Sequence, residues 1–148
     1  MIDLDVHQGN GTAKIFEKEK RVFTFSMHGE HNYPLRKEKS DLDVGVRDGI
    51  SGSEYLEKLS YQLPRLIDHV KPDFIFFQSG VDIIVTDKLG RLSVSIEDCK
   101  NRDEMVLSMA DSKNIPLMAC MGGGYSPQIK HIVEAHANTY RLAVKLYG

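Results

Sequence analysis

Apolar and polar side chains alternate along Ile2-Asp3-Leu4-Asp5-Val6-His7, the stretch that follows the first residue of the chain. This alternation predicts a β-strand over residues 1–7. Because successive side chains of a strand point to opposite faces, Asp3, Asp5 and His7 are expected on one face. The predicted strand starts with the chain itself, which suggests a larger fold that was cut just before a strand.

Downstream, strand-like runs alternate with segments of helical spacing. The helix that follows residue 52 has Ser53 as its expected N-cap and contains Pro64, which is expected to kink it. The apolar run over residues 74–78 is typical of a strand covered on both faces, and the polar residues 31–51 are typical of a long loop. Strands are predicted over residues 1–7, 21–28, 74–78 and 115–121, and helices over residues 52–70, 98–114 and 126–146.

The order of these elements predicts an α/β fold in which helices pack in layers against a mostly parallel sheet. In such folds, functional sites form at the carboxyl ends of the strands. Three polar clusters follow predicted strands, over residues 3–10, 79–87 and 122–126. We therefore expect the chemistry of the protein in these clusters.

The first cluster carries two aspartates and a histidine. Neighbouring carboxylates repel each other, and burying them requires a compensating cation. Carboxylate oxygen and imidazole nitrogen are both zinc ligands, so Asp3, Asp5 and His7 together indicate a metal site. The alternative is an edge strand whose charged side chains face solvent.

The other two clusters offer a further ligand and a hydroxyl group. Asp82 and Asp87 follow the strand over residues 74–78, and a ligand from this loop would complete an open zinc site with room for water and substrate. Alternatively, both are ordinary turn residues. The three glycines over residues 122–124 match neither common phosphate-binding motif. They instead allow Tyr125 to reach a pocket, unless this tyrosine is merely structural at a helix start.

The composition argues against several classes of protein. Apolar residues make up 41% of the 148 residues, which is enough for a core. The 19 basic and 21 acidic residues give a net charge of -2, which argues against direct binding of nucleic acid. Cys99 and Cys120 form no CxxC motif, which indicates a reduced, cytoplasmic setting. No apolar run is long enough for a membrane span, so no membrane partner is expected.

Taken together, four segments resemble the histone deacetylase superfamily, in the right order and over nearly the whole chain. The run HQGNG, with HNYP further on, points to the class IV branch and its bacterial relatives. The four segments are IDLDVHQGNGTA (residues 2–13, similar to the central zinc-ligand motif), FQSGVDIIVTDKLG (77–90, the third-ligand segment), MGGGYS (121–126, the glycine-tyrosine motif) and IVEAHANTYRLA (132–143, the terminal helix).

The resemblance implies a zinc-dependent deacetylase with an arginase-like, three-layer fold, of which residues 1–148 would form the carboxyl-terminal part. It implies that Asp5, His7 and Asp87 bind zinc and that the Tyr125 hydroxyl stabilises the oxyanion. It also implies one wall of an acyl tunnel, formed by Tyr33, Gly123 and Gly124. The residues implied at a structural potassium ion, or as supports of the zinc site, are Asp3, Ser26, Met27, Asp82 and Asn10.

The chain departs from the family in what precedes residue 1. The family carries a tandem His-His, a substrate-holding acidic residue and a second tunnel aromatic upstream, and this chain has none of them. We therefore expect hydrolysis of an acetyl-lysine or a similar acylated amine to require an N-terminal half, without which the chain would be weakly stable or would self-associate. The alternatives are a non-catalytic remnant that binds a metal or a partner, and another arginase-like hydrolase with two clustered metals.

Overall fold

The computed structural model describes all 148 residues, which form one sheet flanked by helices. Its five strands are β1 (Ile2–Asp3), β2 (Phe25–Gly29), β3 (Leu42–Val46), β4 (Ile75–Gly80) and β5 (Leu117–Gly122). They lie in the order β3-β2-β1-β4-β5, and every neighbouring pair is parallel. The predicted α/β architecture with a parallel sheet is therefore confirmed.

Four helices connect or follow these strands. They are α1 (Asn10–Phe16), α2 (Gly52–Val70), α3 (Ile96–Ser112) and α4 (Ile129–Tyr147). None of the four has both the length and the apolar character that crossing a membrane requires.

The strand order reverses direction between β1 and β4. The connection from β1 to β2 runs toward one edge of the sheet, whereas those from β3 to β4 and from β4 to β5 run toward the other. Parallel crossovers are right-handed, so connections in opposite directions place their helices on opposite faces. Therefore α1 lies on one face and α2 and α3 lie on the other. A crevice opens outside the carboxyl ends of the strands at such a reversal.

The core lies between the sheet and the helices α2 and α3, which cover one of its faces. Ile2, Phe25 and Phe77 are direct neighbours across β2, β1 and β4, and each is at most 3% exposed. They belong to a single cluster of 23 buried apolar residues. Burying one such side chain contributes about 1.5–3 kcal/mol, so this face anchors the strands whose ends carry the site.

Both central helices begin with reciprocal caps. The Ser51 hydroxyl accepts the Glu54 N–H, and the Glu54 carboxylate accepts the Ser51 N–H, an arrangement that Ser95 and Asp98 repeat at α3. The prediction of Ser53 as N-cap is therefore wrong by two residues, because Ser51 has the glutamate three positions later that this capping motif needs. α2 continues through Pro64.

Three further predictions about the elements need correction. β1 ends at Asp3 and does not extend to residue 7, since the chain turns away to form the crevice. The predicted loop over residues 31–51 contains β3, an edge strand in which Asp43 and Gly45 obscure the β-pattern. The short α1 was not predicted, because its sequence begins Asn-Gly-Thr and these residues are weak helix formers.

The strand β4 is not covered on both faces. Ile75 and Phe77 are buried, but Phe76 is 49% exposed and the neighbouring Met118 on β5 is 53% exposed. The prediction from the continuous apolar run is therefore wrong for this face, where α1 is the only helix and has seven residues.

Candidate active site

The reversal point of the sheet brings together residues that lie far apart in the chain. Asp5 and His7 follow β1, and Asp82 follows β4. One ligand atom from each of these three residues lies within 4.8 Å of the other two. The His7 Nδ1 atom is 3.0 Å from Asp5 Oδ1 and 3.0 Å from Asp82 Oδ2. The first two predicted clusters therefore meet at one point.

Hydrogen bonds to the backbone fix these side chains in place. Asp82 Oδ1 accepts the Val6 N–H at 2.9 Å, which joins the loop after β4 to the end of β1. Asp5 Oδ1 accepts the His7 N–H at 2.9 Å, and Asp3 Oδ1 accepts the Asp5 N–H at 3.1 Å. Each carboxylate thus holds the backbone two residues further on or in the neighbouring loop, so the cluster has little freedom to move.

Two glycines permit this close packing. A Cβ atom on Gly80 would lie 2.6 Å from the Asp5 Cα, so β4 can pass Asp5 only without a side chain. Gly123 has a φ of 61°, which favours glycine, and a Cβ there would overlap the Asp82 carboxylate. The third predicted cluster therefore borders the first two.

The cluster holds more carboxylate than its single imidazole neutralises. Burial raises the pKa of Asp3 to about 7, and burial also raises the pKa of Asp82. Burial opposes ionisation of Asp5 too, but hydrogen bonds with His7 outweigh it and lower the pKa of Asp5. Hydrogen bonds to Asp5 and Asp82 raise the pKa of His7 to about 10. A bound cation would favour the ionised carboxylates.

The donor set suits zinc. Carboxylate oxygens and an imidazole nitrogen are ligands that zinc accepts, and three protein ligands leave a fourth position for water or substrate. His7 keeps about a quarter of its side chain exposed and Asp5 about a sixth, whereas Asp82 is almost fully buried. The open side of the cluster therefore lies at His7 and Asp5.

Asp87 lies in the same loop as Asp82 but is not one of the three clustered residues. Its Oδ1 atom accepts the N–H groups of Leu89 and Gly90, each at 2.8 Å. Its Oδ2 atom accepts the Tyr125 N–H at 2.6 Å. Asp87 thus ties the loop after β4 to the glycine-tyrosine segment, while Asp82 takes the place beside His7 that was expected for Asp87.

A cleft of about 510 Å³ opens beside His7. Tyr125 lines it and is half exposed, and Tyr33 lines it with its ring centroid 6.5 Å from that of His7. The predicted tyrosines thus lie on the same cleft as a predicted metal ligand. The sequence analysis gave no role to five other lining residues, although the HNYP run contains two of them and the segment over residues 77–90 contains a third: His31, Asn32, Leu35, Leu89 and Arg91.

The residues expected at a potassium ion lie on the strands just behind the cluster. Asp3 and Ser26 are register partners on β1 and β2, and Met27 follows on β2. All three are buried. Asn10, which was expected to support the zinc site, is the first residue of α1.

Comparison with known proteins identifies the family. Residues 1–140 match the model of the histone deacetylase domain, and the chain belongs to this family. It is 42% identical over 147 residues to an uncharacterized protein of Picosynechococcus sp., covering 99% of this chain and 49% of that protein. It is 34% identical over 136 residues to Histone deacetylase 2 of Arabidopsis thaliana, covering 90% of this chain and 35% of that protein.

Two solved structures share the fold. The HD domain of HDA15 superposes with a TM-score of 0.79 at 24% identity, covering 97% of this chain and 44% of that one. Acetylpolyamine aminohydrolase from Burkholderia pseudomallei superposes with a TM-score of 0.79 at 20% identity, covering 99% of this chain and 45% of that one. The chain therefore spans about half the length, or less, of these relatives and has a deacetylase-like fold.

Proposed function

We propose that this chain is the metal-binding part of a zinc-dependent deacetylase that hydrolyses an acetyl-lysine or a similar acylated amine. The observation that carries the proposal is the cluster of Asp5, His7 and Asp82 beside a cleft that Tyr125 also lines. Membership of the histone deacetylase family supports the reaction class. The reaction is amide hydrolysis, which releases a free amine and a carboxylate.

We assign zinc binding to Asp5, His7 and Asp87. The assignment of Asp87 rests on its place in residues 77–90, which resemble the third-ligand segment of the family, and Asp82 then positions His7 and the Val6 amide. When bound, zinc would polarise the acyl carbonyl and activate a water molecule. Asp82 is the competing third ligand, because its carboxylate already lies 3.0 Å from His7 Nδ1. Asp3 and Ser26 would hold a potassium ion behind the site, together with the backbone of Met27.

Tyr125 would donate its hydroxyl to the oxygen on which negative charge develops. Its side chain is half exposed in the cleft, and its backbone N–H is held by Asp87 at 2.6 Å. One donor of this kind typically raises the rate by about 10²–10³. Tyr33, on the same cleft, would flank the acyl chain.

The chain offers no evident pair of groups to move protons. Its six histidines include no adjacent pair, and His7 is engaged by two carboxylates. General acid–base catalysis contributes about 10²–10⁴ in rate. We therefore expect the 148 residues alone to hydrolyse acetyl-lysine peptides slowly, and a protein that also carries the family's amino-terminal half to do so well.

Metal analysis of purified variants tests the ligand assignment. The unaltered chain should hold about one zinc ion. His7→Asn and Asp87→Asn should lose it, while Asp82→Asn should weaken zinc binding by about 10–100-fold, as expected for a residue that supports a ligand. Asp68→Asn, on the surface of α2 and paired with Lys113, is the matched control and should retain zinc.

The outcomes separate the alternatives. Complete loss in Asp82→Asn with retention in Asp87→Asn would make Asp82 the third ligand. Retained zinc in both His7→Asn and Asp87→Asn would refute the site, and two metals per chain would favour another arginase-like hydrolase. The lengthened protein is the one that also carries the family's amino-terminal half. If zinc binds but the lengthened protein does not deacetylate peptides, the chain is a non-catalytic metal-binding remnant.

A variant of Tyr125 tests the catalytic role separately. In the lengthened protein, Tyr125→Phe should lower turnover by about 10²–10³ without changing the zinc content, because the hydroxyl acts on the transition state. Equal turnover of the lengthened protein with and without Tyr125→Phe would rule out the tyrosine as the oxyanion donor.

A further inference from the structure

A fully buried arginine lies beneath the candidate site. Arg102, on α3, has no exposed surface. Its Nη1 atom donates to the Leu4 carbonyl at 3.0 Å and to the Gly80 carbonyl at 2.6 Å. Leu4 directly precedes Asp5, and Gly80 is two residues before Asp82. One guanidinium group therefore holds both segments from which the clustered carboxylates come.

The two carbonyls lie where β1 and β4 stop pairing. The last register pair is Asp3 with Gln78, and the Leu4 N–H still donates to the Gln78 carbonyl at 3.1 Å. Beyond this point the chains diverge to form the crevice at the reversal of strand order. Arg102 thus links the strands at the first position where the backbone ladder no longer does.

A second layer of contacts orients the guanidinium. Arg102 Nε donates to Asp103 Oδ1 at 2.8 Å, and its Nη2 lies 2.7 Å from the same oxygen. The Thr139 hydroxyl, on α4, donates to Asp103 Oδ2 at 2.7 Å. Asp103 has no exposed surface either. The carbonyl contacts of Arg102 are therefore braced from two helices.

We propose that Arg102 is a positioning residue, which holds the ends of β1 and β4 so that Asp5, an assigned zinc ligand, and Asp82, which positions His7, keep the spacing that the site needs. The metal part of this inference rests on the proposed function, whereas the positioning of the strands does not. A buried ion pair by itself contributes little to net stability, so a purely stabilising role explains the pair with Asp103 poorly. A positioning role explains why Nη1, the guanidinium nitrogen that does not contact Asp103, donates to two backbone carbonyls at the site.

Hydrogen exchange in the metal-free chain tests the positioning directly. Arg102→Lys keeps the charge but offers a single ammonium in place of the planar fork. Because one hydrogen bond to a charged group is lost, the amides of Val6 and Val81 should exchange about tenfold faster, while that of Met27 on β2 should change little. Leu107→Ala, in the same helix, is the matched control for general loss of stability and should not single out the Val6 and Val81 amides.

Metal binding tests the functional consequence. Cobalt(II), which reports its coordination by visible absorption, should bind Arg102→Lys about 10–100-fold more weakly and with an altered spectrum. Thr139→Val should shift affinity in the same direction by a smaller factor, and Thr139→Ser should restore it. If Arg102→Lys does not fold, the comparison of Thr139→Val with Thr139→Ser tests the same inference.

Each outcome decides between the inferences. Uniform acceleration of exchange across β2 as well as Val6 and Val81 would overturn the positioning role, as would unchanged cobalt affinity and spectrum in both Arg102→Lys and Thr139→Val. Selective exchange in a chain that binds no cobalt would refute the proposed metal site and leave the positioning role standing.

Discussion

Replacing Gly80 with alanine tests how closely β4 must approach Asp5. The added Cβ would lie 2.6 Å from the Asp5 Cα and 2.7 Å from its Cβ. Carbon atoms pack best at about 3.5–4.0 Å, so the backbone segments at Gly80 and Asp5 must separate by about 1 Å. The Cα and Cβ positions of Asp5 do not depend on the side-chain rotamer, so no change of rotamer relieves these two overlaps.

The size of the effect follows from the neighbouring contacts. The Leu4 N–H donates to the Gln78 carbonyl at 3.1 Å beside this position, and a shift of about 1 Å would break that hydrogen bond. Loss of one hydrogen bond costs about 0.5–1.5 kcal/mol, and overpacking costs about 1–3 kcal/mol. We therefore expect Gly80→Ala to lower the free energy of unfolding by about 2–4 kcal/mol.

Urea unfolding followed by circular dichroism measures this change. The matched control is Gly11→Ala in α1, where an added Cβ meets no atom within 4 Å. This control should be neutral or more stable by up to about 1 kcal/mol, because alanine favours a helix over glycine. A Gly80→Ala chain within about 0.5 kcal/mol of the unaltered one would refute the reasoning, since surface-like substitutions have effects of that size.

Three further predictions concern the cap, a buried histidine and the metal. Ser51→Ala should lower the free energy of unfolding by about 1 kcal/mol in urea, whereas Ser53→Ala should change it little, because Ser51 is the residue that caps α2. Burial lowers the pKa of His136, so its contribution to stability is complete above the ordinary histidine pKa of about 6.5 and falls as the pH drops from there through the lowered pKa. His136→Gln should lose part of this acid sensitivity, measured by thermal unfolding over a series of pH values below about 6.5. Zinc at 100 times its dissociation constant should stabilise the chain by about 2.7 kcal/mol, and thermal unfolding should show no gain when a chelator is present.

Helical spacing and strand-like runs predicted most of the elements that build the core. The apolar positions of α2, including Leu59 and Leu63, are buried as their spacing indicated. Elements of weak local preference were not predictable: β3 contains an aspartate and a glycine, and it is held mainly by pairing with β2. The exposure of Phe76 could not be predicted from the local sequence either, because it depends on which helices cover that face of the sheet.

The candidate site was predictable as a place more than as a set of contacts. Polar clusters after the predicted strands identified Asp5, His7 and the loop that holds Asp82 and Asp87. Which of these aspartates lies against His7 depends on the path of that loop, where Asp82 is held by the Val6 N–H and Asp87 by three other N–H groups. Spacing along the chain contains no information about these bonds, so zinc ligation by Asp87 remains a prediction that the variants must test.

The role of Arg102 shows why a site of this kind depends on residues that no motif includes. His7 and Asp82 are separated by 75 positions in the chain, and they meet only because β1 and β4 are neighbours at the reversal of strand order. Backbone pairing holds those strands together up to Leu4, but a crevice requires them to part immediately afterwards. A donor that bridges the two carbonyls at this point satisfies both requirements, and a buried guanidinium can do so because it presents several N–H groups in one plane. The geometry of the carboxylates above is therefore set from the helix layer beneath the sheet.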